Sequence, residues 1–212
     1  MEKTQTSLLN KYFPDIFLIN LDRDTKRLEI VDKKLTDLSI TYKRIQAYDG
    51  RILKFMENSN YGGQFLSGYI GCSLSHFHCL QLAKDLNLDN VLILEDDIKI
   101  HKELDLLLEL SMQQLKNDNI DWNILFLGYF LCDTISSVNW KWHSYNYPRS
   151  YICLDKYPYP LRSEHSKLDI YGLHSYVVKS SVYDIILEEN KSPLLDNFDI
   201  MLFKKMRQSI KL

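Results

Sequence analysis

The residues Leu92-Ile93-Leu94-Glu95-Asp96-Asp97 carry an apolar run straight into three consecutive carboxylates. Three anions at the end of a buried strand cost free energy through mutual repulsion and desolvation. A divalent cation removes that cost, and oxygen donors of this kind suit Mn²⁺ or Mg²⁺. Strand alternation sends Glu95 and Asp97 to one face and Asp96 to the other. Ligands of open α/β sheets bind beyond the carboxyl ends of the strands, so chemistry and position agree on a metal–phosphate site. The plain alternative is a solvated acidic turn after a core strand. A Walker B strand would need a G-x-x-x-x-G-K-[ST] partner loop, which is absent from the sequence. A receiver-type acidic pocket suits neither the chain length nor the carboxylate arrangement. A two-ion hydrolase would want more His and Asp clusters than the sequence offers.

Three further segments carry chemistry. Gly71-Cys72-Ser73-Leu74-Ser75-His76 reads as a helix start, whose free N–H groups, with Ser73 and Ser75, would receive a phosphate or a ribose. The alternative is plain capping by small residues with His76 half-buried. In Tyr171-Gly172-Leu173-His174-Ser175-Tyr176 a strand histidine is either a satisfied core residue or a nitrogen ligand to the same metal, provided its strand lies beside the acidic tip. Pro193 to Asp199 contains Asp196, Asn197 and Asp199, an acid for general-base work or simply a capped helix start.

Those groups need a scaffold. Asp15 to Leu21 reads as a buried strand, Thr25 to Leu38 as an amphipathic helix and Thr41 to Ala47 as a second strand before the Asp49-Gly50 turn. This βαβ order implies parallel pairing with a right-handed crossover. Gly62, Gly63 and Gly68 mark a loop, and a helix from Gly71 to about Leu86 leads to the strand Val91 to Leu94. A leucine-rich helix follows from Leu104 to Leu115, then a strand from Trp122 to Leu127 stopped by Gly128. Tyr171 to Val178 reads as a strand and Ser180 to Glu189 as a helix, with a short helix after Phe198. The pattern predicts an α/β fold with a mostly parallel central sheet flanked by helices, forming one domain over residues 1–212. Between Tyr129 and Lys167 lies a long irregular excursion with two of the three tryptophans and three of the five prolines.

The composition bounds the partners. The chain has 212 residues, 45% hydrophobic and 25% charged, enough for one core and ordinary for a globular domain. A net charge of −2 leaves no electrostatic footprint for nucleic acid. Cys72, Cys79, Cys132 and Cys153 form no C-x-x-C pair and read as reduced thiols. The first residues, Met1 to Ser7, lack the apolar stretch of a secretory signal, and no apolar run reaches the length of a membrane span. A cytoplasmic protein is therefore expected, or one whose targeting segment has been removed. The basic tail Lys204, Lys205, Arg207 and Lys211 offers at most peripheral membrane contact and otherwise reads as a solvated helix face.

In order along the chain, these pieces resemble glycosyltransferase family 25, which includes lipopolysaccharide galactosyltransferases and collagen-modifying sugar transferases. Ile19-Asn20-Leu21-Asp22-Arg23-Asp24-Thr25-Lys26-Arg27 resembles the family's opening, and Ala47-Tyr48-Asp49-Gly50 its A-x-D-G turn. Gly68-Tyr69-Ile70-Gly71-Cys72-Ser73-Leu74-Ser75-His76 is similar to its G-x-x-G-C-x-x-S-H signature, and Leu94 to Asp97 to its acidic motif. The Tyr171 to Tyr176 segment and the Asp196/Asp199 segment complete the order. The likeness implies a GT-A-like, Rossmann-type fold and an inverting, metal-dependent transfer of galactose or glucose from a UDP-sugar. By position, Ile19, Asn20, Arg27, Ala47, Asp49 and Gly50 would line the nucleotide pocket, with Ser75 and His76 nearby. Asp97 would be the first metal ligand, joined by Glu95 and His174, while Asp96 would hold the ribose or support a neighbouring loop.

Breaking a sugar–diphosphate bond builds charge on the leaving phosphate, and inversion needs a carboxylate to take the acceptor hydroxyl's proton. Asp199 is the nominee, with Asp196 as the alternative. Trp140 and Trp142 would stack on an acceptor sugar or else anchor the long loop. The acceptor would be a glycan, a lipid-linked glycan or a protein hydroxyl. Two other readings stand beside this one: a relative that binds nucleotide sugar without turnover, and an unrelated Rossmann-like metal-dependent phosphoester hydrolase.

Overall fold

A computed structural model describes residues 6–52, 63–133, 142–143 and 168–188. Its elements run α1 (Leu8–Tyr12), β1 (Ile16–Asn20), α2 (Thr25–Asp37), β2 (Lys43–Gln46), α3 (Gly63–Asp85), β3 (Asn90–Glu95), α4 (Leu104–Asn117), β4 (Ile124–Asp133), β5 (Trp142–His143), β6 (Leu168–Lys179), a 3₁₀ turn (Ser180–Val182) and α5 (Tyr183–Leu187). These six strands join one sheet in the order β2-β1-β3-β6-β4-β5.

The uninterrupted apolar strands have helices on both sides, as their sequences require. All five residues of β1 are buried, because alternate side chains enter two different cores. Phe17, Ile19, Ile93, Phe126 and Tyr176 pack with Phe77, Leu80 and Ala83 of α3 and with Tyr183 and Ile186 of α5. On the other face, Leu18, Leu92, Leu94, Leu125 and Val177 meet Leu9 of α1 and Phe13 just after it, Val31 and Leu35 of α2, and Leu108 and Leu115 of α4. Helices α2 and α4 bury one stripe each, Val31 and Leu35 in the first and Leu108, Ser111 and Leu115 in the second.

The expectation of a mostly parallel sheet needs correction. The β1·β2 and β1·β3 pairs are parallel, but β3·β6, β4·β6 and β4·β5 are antiparallel. Strands β1 to β4 all point the same way, as a βαβα succession dictates, yet β6 inserts antiparallel between β3 and β4. A strand buried on both faces has the same apolar texture in either direction, so composition does not reveal its sense.

Three boundaries also move. Strand β4 does not stop at Gly128 but continues to Asp133, with register shifts on either side of that glycine. Strand β6 begins at Leu168 rather than Tyr171, and β4 and β5 take up residues 129–133 and 142–143 of the supposed irregular excursion. Helix α3 starts at Gly63, eight residues before the expected start at Gly71, so Gly63 and Gly68, expected to mark a loop, lie in a helix, and Gly62 lies outside the described residues. Among the described residues no helix is long and apolar enough to cross a membrane.

Gly71 is needed for close approach rather than for opening a helix. A Cβ there would lie 2.5 Å from the Tyr48 carbonyl oxygen and 2.7 Å from the Gly50 nitrogen, and one on Gly50 would fall 1.5 Å from the Ser67 carbonyl oxygen. Backbone meets backbone at both places, so nothing flexible can move aside. At Gly68, one turn away on the same helix, an added Cβ would have nothing within 4 Å. Two substitutions in α3 should therefore have opposite signs. Gly71→Ala is expected to lower stability by about 1–3 kcal/mol through overpacking, whereas Gly68→Ala should raise it by up to about 1 kcal/mol through helix propensity. Urea-unfolding midpoints of the two variants check this, and equal midpoints would overturn the close-approach account.

Candidate functional site

The C-terminal ends of β1 and β3 lie side by side, with Ile19 paired to Glu95. The next residue on each strand makes the first contact of the site. Asn20, 1% exposed, donates from its side-chain amide to Asp96 Oδ2 at 2.7 Å and to the Asp24 carbonyl at 3.2 Å. Its side-chain oxygen accepts from Arg44 Nε at 3.0 Å. Arg27, projecting from α2, reaches Asp96 Oδ1 at 3.1 Å and Asp97 Oδ2 at 3.7 Å. Asp96 is thereby compensated by the protein itself, and it ties β3 to the β1–α2 connection.

Glu95 points to the opposite face, as strand alternation requires. Its Oε1 lies 3.1 Å from His76 Nε2, and its Oε2 lies 3.5 Å from His174 Nδ1. His76 Nδ1 in turn meets the Tyr176 hydroxyl at 2.9 Å. Strand β6 lies directly beside β3, with Ser175 opposite Leu94, and this pairing brings His174 to the acidic tip. One donor atom each from Glu95, Asp97 and His174 fall within 4.8 Å of one another. Two carboxylates and an imidazole are a donor set that suits Mn²⁺.

The electrostatics follow from burial and partners. Burial pushes the Glu95 carboxyl up, but hydrogen bonds and charge from His174 and His76 outweigh it and hold the group well below the usual carboxylate range. Burial pushes the His76 imidazole down, yet the hydrogen bond and charge of Cys72, followed by those of Glu95, raise it above its ordinary 6.5. Asp49 is lowered to about 2, by Arg51 first and Arg23 after it, against a smaller opposing effect of burial.

The turn after β2 supplies a third wall. Asp49 accepts hydrogen bonds from the Arg51 backbone N–H at 3.1 Å and from the Arg51 and Arg23 guanidinium groups. Ser75 Oγ accepts from the Tyr48 N–H at 2.9 Å and donates to the Gly71 carbonyl at 2.6 Å. The Tyr48 and His78 rings meet edge to face at 5.8 Å between centroids. Ile19, Asn20, Arg27, Ala47, Asp49, Gly50, Ser75, His76 and Asp96 all line one cavity of about 320 Å³, and Glu95 and Asp97 line it too.

Ser73 and Ser75 are corrected in role. They lie within α3 and are buried, so no free helix start there offers N–H groups to a phosphate. Ser75 instead fastens the Tyr48 backbone to the helix. His76 is fully buried rather than half-buried. Asp196, Asp199, Trp140 and the basic residues Lys204, Lys205, Arg207 and Lys211 lie outside the described residues, and Trp142 is placed only by its backbone in β5. Sequence reasoning missed the cavity residues Arg23, Arg51 and Cys72. Arg51 directly follows the A-x-D-G turn, a local cue, whereas Arg23 meets Asp49 only through the β1–β2 pairing. Cys72 and Cys79 are not disulfide-bonded.

The His76–Glu95 contact has a pH signature. A raised imidazole contributes stability that is complete below its ordinary 6.5 and is lost as pH rises through the higher folded value. A lowered carboxyl contributes stability that is complete above its ordinary 4.5 and is lost as pH falls through the lower folded value. Wild type should therefore exceed Glu95→Gln in stability most clearly between those two ordinary values. Nitrogen-edited NMR should show the His76 ring still protonated at neutral pH in wild type and deprotonating at lower pH in Glu95→Gln. Identical titrations would remove Glu95 as a cause.

Residues 13–193 match the sequence profile of glycosyltransferase family 25 (LPS biosynthesis protein). The chain is 29% identical over 147 residues to procollagen galactosyltransferase 2 of Mus musculus, covering 60% of this chain and 24% of that one. It is 29% identical over 129 residues to procollagen galactosyltransferase 1 of Danio rerio, with 55% and 21% covered. It is also 27% identical over 129 residues to inactive glycosyltransferase 25 family member 3 of Homo sapiens, with 55% and 22% covered. The matched segments span less than a quarter of the length of these curated relatives. With the profile covering most of its length, the chain belongs to glycosyltransferase family 25.

Proposed function

We propose that this chain is a glycosyltransferase that moves a hexose, galactose or glucose, from a UDP-sugar to a hydroxyl of a glycan, lipid-linked glycan or protein, with inversion at the anomeric carbon. The observation that carries the reading is the convergence of Glu95, Asp97 and His174 at the strand tips, beside a cavity walled by Asn20, Arg27 and Asp49. When bound, a divalent cation such as Mn²⁺ held by Glu95, Asp97 and His174 supplies positive charge to a departing diphosphate.

The chain's own groups do the rest. Ile19 and Ala47 offer an apolar wall for the nucleobase, and the close approach of Gly50 and Gly71 keeps that wall rigid. Arg27, with its side chain 56% exposed, is oriented by Asp96 and presents its remaining N–H groups to the diphosphate. Asp96 is already held by Asn20 and Arg27, which favours its supporting role over direct contact with a ribose. Asp199, or Asp196, takes the acceptor hydroxyl's proton as that oxygen attacks the face opposite the leaving group.

Likeness to an inactive family member favours one alternative, a chain that binds nucleotide sugar without turnover. The hydrolase reading finds no support in the family match. Incubation with UDP-galactose or UDP-glucose in Mn²⁺ should release UDP, excess chelator should abolish the release, and Asp97→Ala should lower it about 100-fold or more. UDP binding measured by calorimetry in the same samples separates the two readings. Binding without release in any donor and acceptor mixture supports the inactive alternative, and no binding overturns both. If Asp199 is the base, Asp199→Asn should lower transfer to acceptor by about 10²–10⁴-fold while leaving UDP binding intact, and Asp196→Asn should do far less. The reverse order would move the assignment to Asp196.

A further inference from the structure

Glu95 belongs to two groups of potential ligands. Besides the set with Asp97 and His174, one donor atom each from Cys72, His76 and Glu95 lie within 4.8 Å of one another. Cys72 and His76 are four residues apart on α3, which places them on one face of the helix one turn apart. Cys72 is exposed and lines the cavity, so an ion can reach its sulfur from solvent. His76 is held by the Tyr176 hydroxyl at Nδ1, 2.9 Å away, while Nε2 faces the Glu95 carboxylate. A ligating histidine is ordinarily held this way, with one nitrogen anchored by an outer partner and the other turned to the ion. Tyr176 is itself fixed, fully buried and stacked on Phe126 at 6.1 Å.

We propose that Cys72, His76 and Glu95 form a second cation site, selective for a soft divalent ion such as Zn²⁺, which shares Glu95 with the harder Glu95/Asp97/His174 set. Sulfur, nitrogen and one carboxylate oxygen make a three-ligand zinc set with the fourth position left to solvent or substrate. The two sets differ in softness, because only one contains a thiolate, so ions sort between them by type. On binding, the Cys72 thiol and the His76 imidazolium at Nε2 each lose a proton to solvent, and the sulfur–metal and nitrogen–metal bonds form in their place. Since one carboxylate serves both sets, occupancy of the soft site weakens the hard one. The sharing rests on reading Glu95, Asp97 and His174 as the Mn²⁺ site; the soft site itself does not.

Cobalt(II) is the probe, since a thiolate ligand gives it a near-ultraviolet charge-transfer band that oxygen and nitrogen ligands do not. Titrating the full chain under reducing conditions should raise this band to saturation at one equivalent, and Cys72→Ser, checked for folding by circular dichroism, should abolish it. A band missing from wild type would overturn the site. So would a band retained in Cys72→Ser, which would place the ion on Cys79, Cys132 or Cys153. For the sharing, with Mn²⁺ binding followed by electron paramagnetic resonance, saturating Mn²⁺ should raise the Co²⁺ concentration needed for half of the thiolate band by about tenfold or more in wild type and not in Asp97→Ala. A cobalt midpoint indifferent to bound Mn²⁺ would overturn the shared carboxylate. Absence of Mn²⁺ binding altogether would instead count against the metal-dependent transferase reading, leaving the cobalt result to stand by itself.

Discussion

Three adjacent carboxylates at the end of a buried strand must each be compensated, and the arrangement of the site follows from how that is done. Strand β3 ends at Glu95 and the chain turns through Asp96 and Asp97, so each receives a different kind of partner. Asp96 turns to Asn20 and Arg27 and becomes structural. Glu95 turns to two histidines drawn from distant parts of the chain. Asp97, half exposed, makes one long contact to Arg27 and keeps its coordinating capacity. One sequence triplet thus yields a brace, a bridge and an exposed carboxylate, because each meets a different set of neighbours.

The opposite wall is set by backbone rather than charge. Gly50 and Gly71 bring the turn after β2 against α3 at distances that tolerate no side chain, and Ser75 then pins the Tyr48 N–H to the helix. That contact holds Asp49, with its two arginines, at the rim of the cavity facing the β1 and β3 tips. The glycines of both motifs are therefore two halves of one junction.

Much of this was legible in the chain. The acidic triplet, the first strand–helix–strand unit and the strand carrying His174 all lie where their patterns put them, since apolar runs ending in polar residues are strong local signals. Local signals also misled. Gly62, Gly63 and Gly68 look like loop punctuation and Gly71 like a helix start, but Gly63, Gly68 and Gly71 are all residues of one long helix, where the demand on Gly71 comes from a partner 21 residues earlier at Gly50. The direction of β6 was illegible for a related reason: its pairing is decided by which gap in the sheet it fills, and its composition is the same either way. Of the site, residues within a motif were readable, while Arg23 reaches Asp49 and Cys72 reaches Glu95 only through tertiary contact. Asp196 and Asp199 lie outside the described residues.

The insertion of β6 has a consequence for how the molecule is made. Strands β3 and β4 both use β6 as their hydrogen-bonding neighbour, and β6 is the last of the six strands to leave the ribosome. Until residue 168 and its successors emerge, two apolar strands stand with unmatched edges and a strand-wide gap between them. Closing that gap joins segments more than 70 residues apart, such as Leu94 and Ser175, which is slow because loop closure costs entropy before the new contacts offset it. The same strand delivers His174 to Glu95. Completion of the sheet and the meeting of His174 with Glu95 are therefore one event, and a nascent chain exposes its stickiest edges until that event is over.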